Sequence, residues 1–157
     1  MIVIADSSAL IALATCNALD LLVDLFDQVV VPKKVYEECI IEDKPQSFIL
    51  KTFLADKVDE SQTTYPLQLP ANLGMGETEA MLLYFELKAD YLLMDDNRAR
   101  KAAKLNKINV IGSLGFLLIA KKAGKIDQVS SYLDKLTQSN LYIDTELMAK
   151  VRKLANE

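Results

Sequence analysis

The stretch Leu92-Leu93-Met94-Asp95-Asp96-Asn97-Arg98-Ala99-Arg100 constrains the fold more than any other: an apolar run stops at two adjacent carboxylates, and a basic helical segment begins. The N-terminus repeats the layout, with Ile2-Val3-Ile4-Ala5 running into Asp6-Ser7-Ser8 and then a helical segment. A short run that is apolar at every position suits a parallel strand buried on both faces. Strands alternating with helices form a parallel sheet covered on both sides. In such sheets ligands gather beyond the carboxyl ends of the strands. Two strand ends that both close in acid therefore point to one carboxylate-lined pocket, suited to a divalent cation and to cleavage of a phosphodiester.

The rest of the chain follows the same alternation. Helical spacing covers 8–15 and 18–26, interrupted at Asn17. Val29-Val30-Val31 is a second strand, and Pro32 suits the first position of a helix over 33–41. A helix is expected over 46–55, then an irregular loop over 56–70 that borders the site, with a short edge strand near Val58. Gly74-Met75-Gly76 introduces a helix over 77–88. A third core strand over 91–94, a helix over 97–105 and a fourth strand over 109–111 follow, then a helix over 116–123 closed by Gly124. Two terminal amphipathic helices are expected over 127–138 and 145–156, with Asp127 and Asp144 as caps.

Composition narrows the chemistry. Histidine is absent, which excludes a Ser-His-Asp triad, a histidine general base and histidine-ligated zinc. Hydrophobic residues make up 51% and charged residues 25% of 157 residues, so a single domain with a real core is expected. The net charge of −4 argues against a free-standing, sequence-blind nucleic-acid binder. Nucleic acid would be met through a local basic patch or through metal, and the acidic surface leaves room for a basic protein partner. Cys16 and Cys39 fall in helical segments and read as buried apolar residues of a reducing compartment. The N-terminus lacks a basic signal-peptide region and no apolar run would span a bilayer, so a cytoplasmic protein is expected.

Each acid also has a structural reading. Asp6 ends a buried strand, where a carboxylate must be bonded, paired or metal-bound; it stands equally well as a helix cap. Asp95 and Asp96 repel each other, and one helix needs only one cap, so a Mg²⁺ or Mn²⁺ ion would relieve them; which of the two points inward stays open. Glu77 and Glu79 occupy a first helical turn, where acids are ordinary. Of Glu37 and Glu38, the spacing of Val35 and Cys39 turns Glu38 toward the core edge. Arg98, Arg100, Lys101 and Lys104 form either a solvated face or a phosphate contact. Ser7, Ser8 and Ser113 offer hydroxyls beside the same strand ends.

These motifs, taken in order, resemble PIN-domain ribonucleases. Asp6-Ser7-Ser8-Ala9-Leu10-Ile11 after an apolar strand is similar to the family's opening. Val31-Pro32 with Val35 and Glu38 resembles its second acidic position, and Gly76-Glu77 with Glu79-Ala80 its third. Leu93-Met94-Asp95-Asp96 with Ala99-Arg100, followed by Val110-Ile111-Gly112-Ser113-Leu114-Gly115, resembles the fourth and the closing strand. The combination is similar to a prokaryotic branch related to VapC-type toxins and covers about residues 1–125, the PIN-like catalytic domain. Residues 126–157 are then C-terminal helices packed on that domain, assigned to dimerisation or a partner.

The resemblance implies a three-layer α/β/α sandwich with a central parallel sheet. It implies cleavage of RNA with one or two Mg²⁺ or Mn²⁺ ions, a homodimer, and a small antitoxin protein that blocks the enzyme. Carried onto this chain, the catalytic set is Asp6, Glu38, Glu77, Asp95 and Asp96. Asp6, Glu77 and the Asp95/Asp96 pair would hold metal, and Glu38 would orient the attacking water. Arg98, Arg100, Ser7 and Ser113 would meet substrate phosphate. Glu77 stands where the better-known toxins usually have Asp. Two other readings are a PIN-like module that binds RNA or protein with little catalysis, and a phosphatase with an aspartate nucleophile. The phosphatase would place a second Asp two residues after Asp6, where Ser8 stands.

Overall fold

The short apolar runs at Ile2–Ala5, Val29–Val31, Tyr91–Leu93 and Val110–Ile111 become strands of one parallel sheet. The computed structural model describes residues 1–157 and contains β1 (Ile2–Ala5), β2 (Gln28–Pro32), β3 (Val58–Asp59), β4 (Tyr91–Leu93) and β5 (Val110–Ile111), ordered β3-β2-β1-β4-β5. All pairings are parallel; Val3 lies opposite Val29 on one side and Tyr91 on the other. The chain lays strands outward from β1 to β3, then crosses back to set β4 on the other side of β1. The order therefore reverses between β1 and β4, the place where sheets of this kind bind ligands beyond the carboxyl ends of the strands. Asp6 and Asp95 follow those two strands.

Nine helices cover the sheet: α1 (Ser7–Thr15), α2 (Asp20–Leu25), α3 (Lys33–Cys39), α4 (Ser47–Leu54), α5 (Met75–Glu86), α6 (Asn97–Leu105), α7 (Ser113–Lys122), α8 (Ser130–Thr137) and α9 (Thr145–Leu154). Side chains alternate across a strand, and the core divides accordingly. Val3, Ala5, Val29, Val31 and Leu93 join a cluster built with α1–α4 and α7–α9. Ile4, Val30, Leu92 and Met94 join a second cluster with α5 and α6. The result is the three-layer α/β/α arrangement. Phe116, fully buried, stacks on Phe26 at 6.1 Å between ring centres. Each fully buried leucine of this cluster, such as Leu10, Leu13 or Leu22, contributes roughly 1.5–3 kcal/mol. Val129 just before α8, Leu133 and Leu136 of α8, and Met148 and Val151 of α9 lie in the same cluster. No helix is long and apolar enough to cross a membrane.

Several element boundaries differ from the sequence expectation. Helix α7 begins at Ser113 rather than 116, because Asp95 accepts the Ser113 backbone N–H and supplies an N-terminal partner that lies 18 residues away. Helix α5 begins at Met75, which puts Gly76 inside the helix. Helix α8 begins at Ser130, and its cap is not Asp127: the Glu157 carboxylate accepts the N–H groups of Val129 and Ser130 at 2.8 and 2.9 Å. Cys16 lies just past α1, and Cys39 ends α3; both are free and buried, and burial pushes their thiols up to about 11 and 12. Asp144 caps α9 as expected, accepting the Glu146 N–H at 2.8 Å.

Candidate active site

Asp6 follows the last residue of β1, and its backbone N–H donates to the Leu93 carbonyl of β4 at 2.9 Å. That bond pins it beside the second strand end. It occupies the cap position of α1, yet its side chain makes no capping hydrogen bond. It is only 2% exposed, and its Oδ1 is the one buried side-chain oxygen or nitrogen in the chain without a partner. Oδ2 accepts the Ser8 hydroxyl at 3.3 Å, and Ser8 Oγ in turn accepts the Asp95 backbone N–H at 3.2 Å. Two hydrogen bonds thus separate the Asp6 carboxylate from the Asp95 main chain.

Burial raises the Asp6 carboxyl from 3.8 to about 7; the charges of Glu77 and Glu38 add to the rise, and the Ser7 backbone and Ser8 hydroxyl oppose it. An unpartnered buried oxygen that feels the charges of two other acids is expensive for an isolated protein. It suits an oxygen-loving divalent cation, which favours the ionised form.

The other acids stand around this point, each with a donor of its own. Glu38, half-buried on α3, accepts the Ser7 hydroxyl at 3.2 Å through Oε2. Glu77, in the first turn of α5, accepts the Gly74 N–H at 2.8 Å. Glu79 reaches the Lys34 N–H at 3.4 Å and ties α5 to the first turn of α3. Asp95 accepts the Ser113 N–H at 2.7 Å and its hydroxyl at 2.6 Å. Asp96 is exposed and caps α6 by accepting the Ala99 N–H at 2.9 Å. As placed, no three acidic or cysteine side chains form a group that could hold an ion. The expected meeting of acids on a single point is therefore not what the structure shows: Asp6, Glu38 and Glu77 interact, while Asp95 is drawn toward α7.

The basic and hydroxyl residues are similarly engaged. Arg100 donates to the Met94 carbonyl at 2.9 Å from Nη1 and is half-buried, whereas Arg98 is exposed. Ser7 is bonded to Glu38 and Ser113 to Asp95, so both hydroxyls hold site acids in place.

Two glycines whose spacing role the sequence reading did not single out allow these approaches. A Cβ on Gly112 would lie 2.8 Å from Arg100 Nη1 and 3.0 Å from Asp95 Oδ1. A Cβ on Gly76 would lie 2.9 Å from Glu38 Oε1 and 3.2 Å from Val35 Cγ2. Their signal in the sequence is adjacency, Gly76 preceding Glu77 and Gly112 preceding Ser113. Gly76→Ala is expected to leave stability within about 1 kcal/mol, since the better helix propensity of Ala offsets the shift of a flexible carboxylate. Thermal denaturation of both proteins checks it.

A family model described as PIN domain matches residues 2–157 and so runs on through α8 and α9, beyond the 1–125 covered by the sequence motifs. A comparison with curated proteins finds no match. Members of the matched family are generally nucleases and typically use divalent metals. With strand ends closing in acid at the point where the sheet order reverses, and a family match over nearly its whole length, this chain belongs to the PIN-domain family.

Proposed function

We propose that the protein is a Mg²⁺- or Mn²⁺-dependent endoribonuclease. The observation that carries this reading is Asp6 Oδ1, buried and unpartnered within reach of the charges of Glu77 and Glu38. Asp6, Glu77 and one of the later aspartates would hold the cation. We favour Asp95 over Asp96, because Asp95 is half-buried and linked to Asp6 through Ser8, whereas Asp96 is exposed on a helix cap. The chemistry such a cation supplies is Lewis acidity, lowering the pKa of water and offsetting charge on the phosphate.

The chain's own residues do the rest. Ser8 holds Asp6 Oδ2, leaving Oδ1 free to bind. Ser7 holds Glu38 Oε2, leaving Oε1 to orient the attacking water and accept its proton, a task no histidine is present to perform. Arg98, exposed on α6, would meet substrate phosphate, while Arg100 braces the end of β4 through the Met94 carbonyl. Incubation with single-stranded RNA tests the assignment. Cleavage with Mn²⁺ or Mg²⁺, blocked by EDTA, is the expected result; intact RNA under all metal conditions contradicts it.

A second reading, a PIN-like module that binds RNA or protein with little catalysis, draws on the engagement of Asp95 and Asp96 by helix N-termini and on Glu at position 77. It predicts RNA retention without cleavage in Mn²⁺. We place the enzyme in the branch related to VapC-type toxins, acting as a homodimer in the cytoplasm and neutralised by a small antitoxin. The motif order Asp6, Glu38, Glu77, Asp95 and the net charge of −4, complementary to a basic partner, support this. Growth arrest on expression of the active protein alone is expected; unimpeded growth contradicts the toxin role.

A further inference from the structure

A groove of about 510 Å³ begins at Asp95 and runs between α7 and α9, within the roughly 300–1,000 Å³ range of clefts that hold small ligands. Its walls are not those of an ordinary helix surface. The segment before α9 alternates: Leu141 and Ile143 pack against the core, and Tyr142 between them is 94% exposed at the groove's rim. Its anchored neighbours thus hold the Tyr142 backbone in place and leave the ring open to solvent. Helix α9 has two stripes. Met148 and Val151 enter the core, while Leu147, Lys150 and Leu154, spaced to share a second face, line the groove.

The charges in the groove are unequal in availability. Asp95 is hydrogen-bonded to Ser113, Asp144 to the Glu146 N–H, and Arg100 to the Met94 carbonyl. Lys150 is exposed and takes part in none of the chain's ion pairs. Tyr142 and Lys150 together offer a ring to stack on and a cation for a phosphate, the two groups a nucleotide takes.

We propose that the groove is a nucleotide subsite: a base of the single-stranded RNA flanking the scissile phosphate stacks on Tyr142, and its backbone phosphate meets Lys150. The assignment rests on the nuclease reading above and deepens it, because the groove is continuous with Asp95. It gives α9 and the Tyr142 segment a substrate-binding role in place of a purely structural one.

The test separates the two readings. Binding of a short fluorescein-labelled single-stranded RNA is measured by anisotropy in EDTA on the Asp6→Asn protein, so that cleavage does not interfere. Tyr142→Ala in that background is expected to weaken binding about 5- to 150-fold, the range for loss of one base–aromatic stack. Tyr142→Phe keeps the ring and retains affinity. Lys150→Ala lowers the salt dependence by about one counterion. Mn²⁺-induced stabilisation of otherwise wild-type protein is unchanged by Tyr142→Ala. Unaltered RNA affinity in Tyr142→Ala overturns the subsite while leaving the nuclease reading intact. The same holds if the substitution instead changes only self-association in sedimentation, which would make the groove a protein contact. Absence of RNA binding by the parent Asp6→Asn protein, with no cleavage by wild type, removes both.

Discussion

Asp6→Asn is expected to abolish metal-dependent RNA cleavage, by about 100-fold or more, and at the same time to stabilise the protein in EDTA at pH 8. On the proposed function, the loss follows from removing the negative charge of a carboxylate that would hold the cation, whose Lewis acidity would be worth several kcal/mol to the transition state. The gain follows from linkage. The Asp6 carboxyl is raised from 3.8 in the unfolded chain to about 7 in the folded one, first by burial and then by Glu77 and Glu38.

An acid with a raised folded-state pKa binds its proton more tightly when folded. Its favourable contribution is therefore complete below pH 3.8 and is lost as the pH climbs to about 7. The difference corresponds to roughly 4 kcal/mol. An asparagine amide left without partners there returns about 1–3 kcal/mol of that. A net gain of about 1–3 kcal/mol at pH 8, or roughly 2–10 °C in thermal midpoint, is expected. The gain vanishes or reverses at pH 4. Calorimetry of both proteins in EDTA across this range checks it; parallel pH profiles would mean that Asp6 is not held against its own charge.

Asp95→Ala is expected to lose both activity and stability. Ser113 is 2% exposed, and Asp95 accepts both its N–H and its hydroxyl. Truncation leaves two buried donors unpaired at the start of α7, at about 1–3 kcal/mol each. A net loss of about 2–4 kcal/mol follows after partial rehydration, seen as a fall in the urea midpoint with an unchanged slope. Asp95→Asn separates the two roles. Its amide oxygen still accepts from Ser113, so most of the stability returns, while cleavage stays low if the charge at this position is needed for metal. Full cleavage by Asp95→Asn would reduce Asp95 to a helix anchor.

These two aspartates also show how far the chain can be read without coordinates. The parallel sheet was legible because short runs such as Ile2–Ala5, bounded by turn or cap residues, are apolar at every position, a pattern that suits a strand buried on both faces. Asp6 was legible as an acid at such a strand end. Its choice between helix cap and free oxygen was not, since both need the same residue at the same place; the missing side-chain cap bond decides it. The difference between Asp95 and Asp96 was also hidden. The two are neighbours in sequence, and what separates them is Ser113, brought alongside by the pairing of β4 with β5. Gly76 reads locally as a helix entrance, yet its function is to make room for Glu38 from another helix. The role of Tyr142 depends on Leu141 and Ile143 being anchored, which local pattern does not reveal.

Anomalous diffraction from crystals grown at pH 8 with Mn²⁺ tests most directly whether Asp6 belongs to a metal centre. The expected result is a manganese peak within coordination distance of Asp6 Oδ1, with Glu77 or Asp95 turned from its present hydrogen bond to the same ion. Manganese elsewhere on the protein, with Asp6 Oδ1 left uncoordinated at that pH, would contradict it.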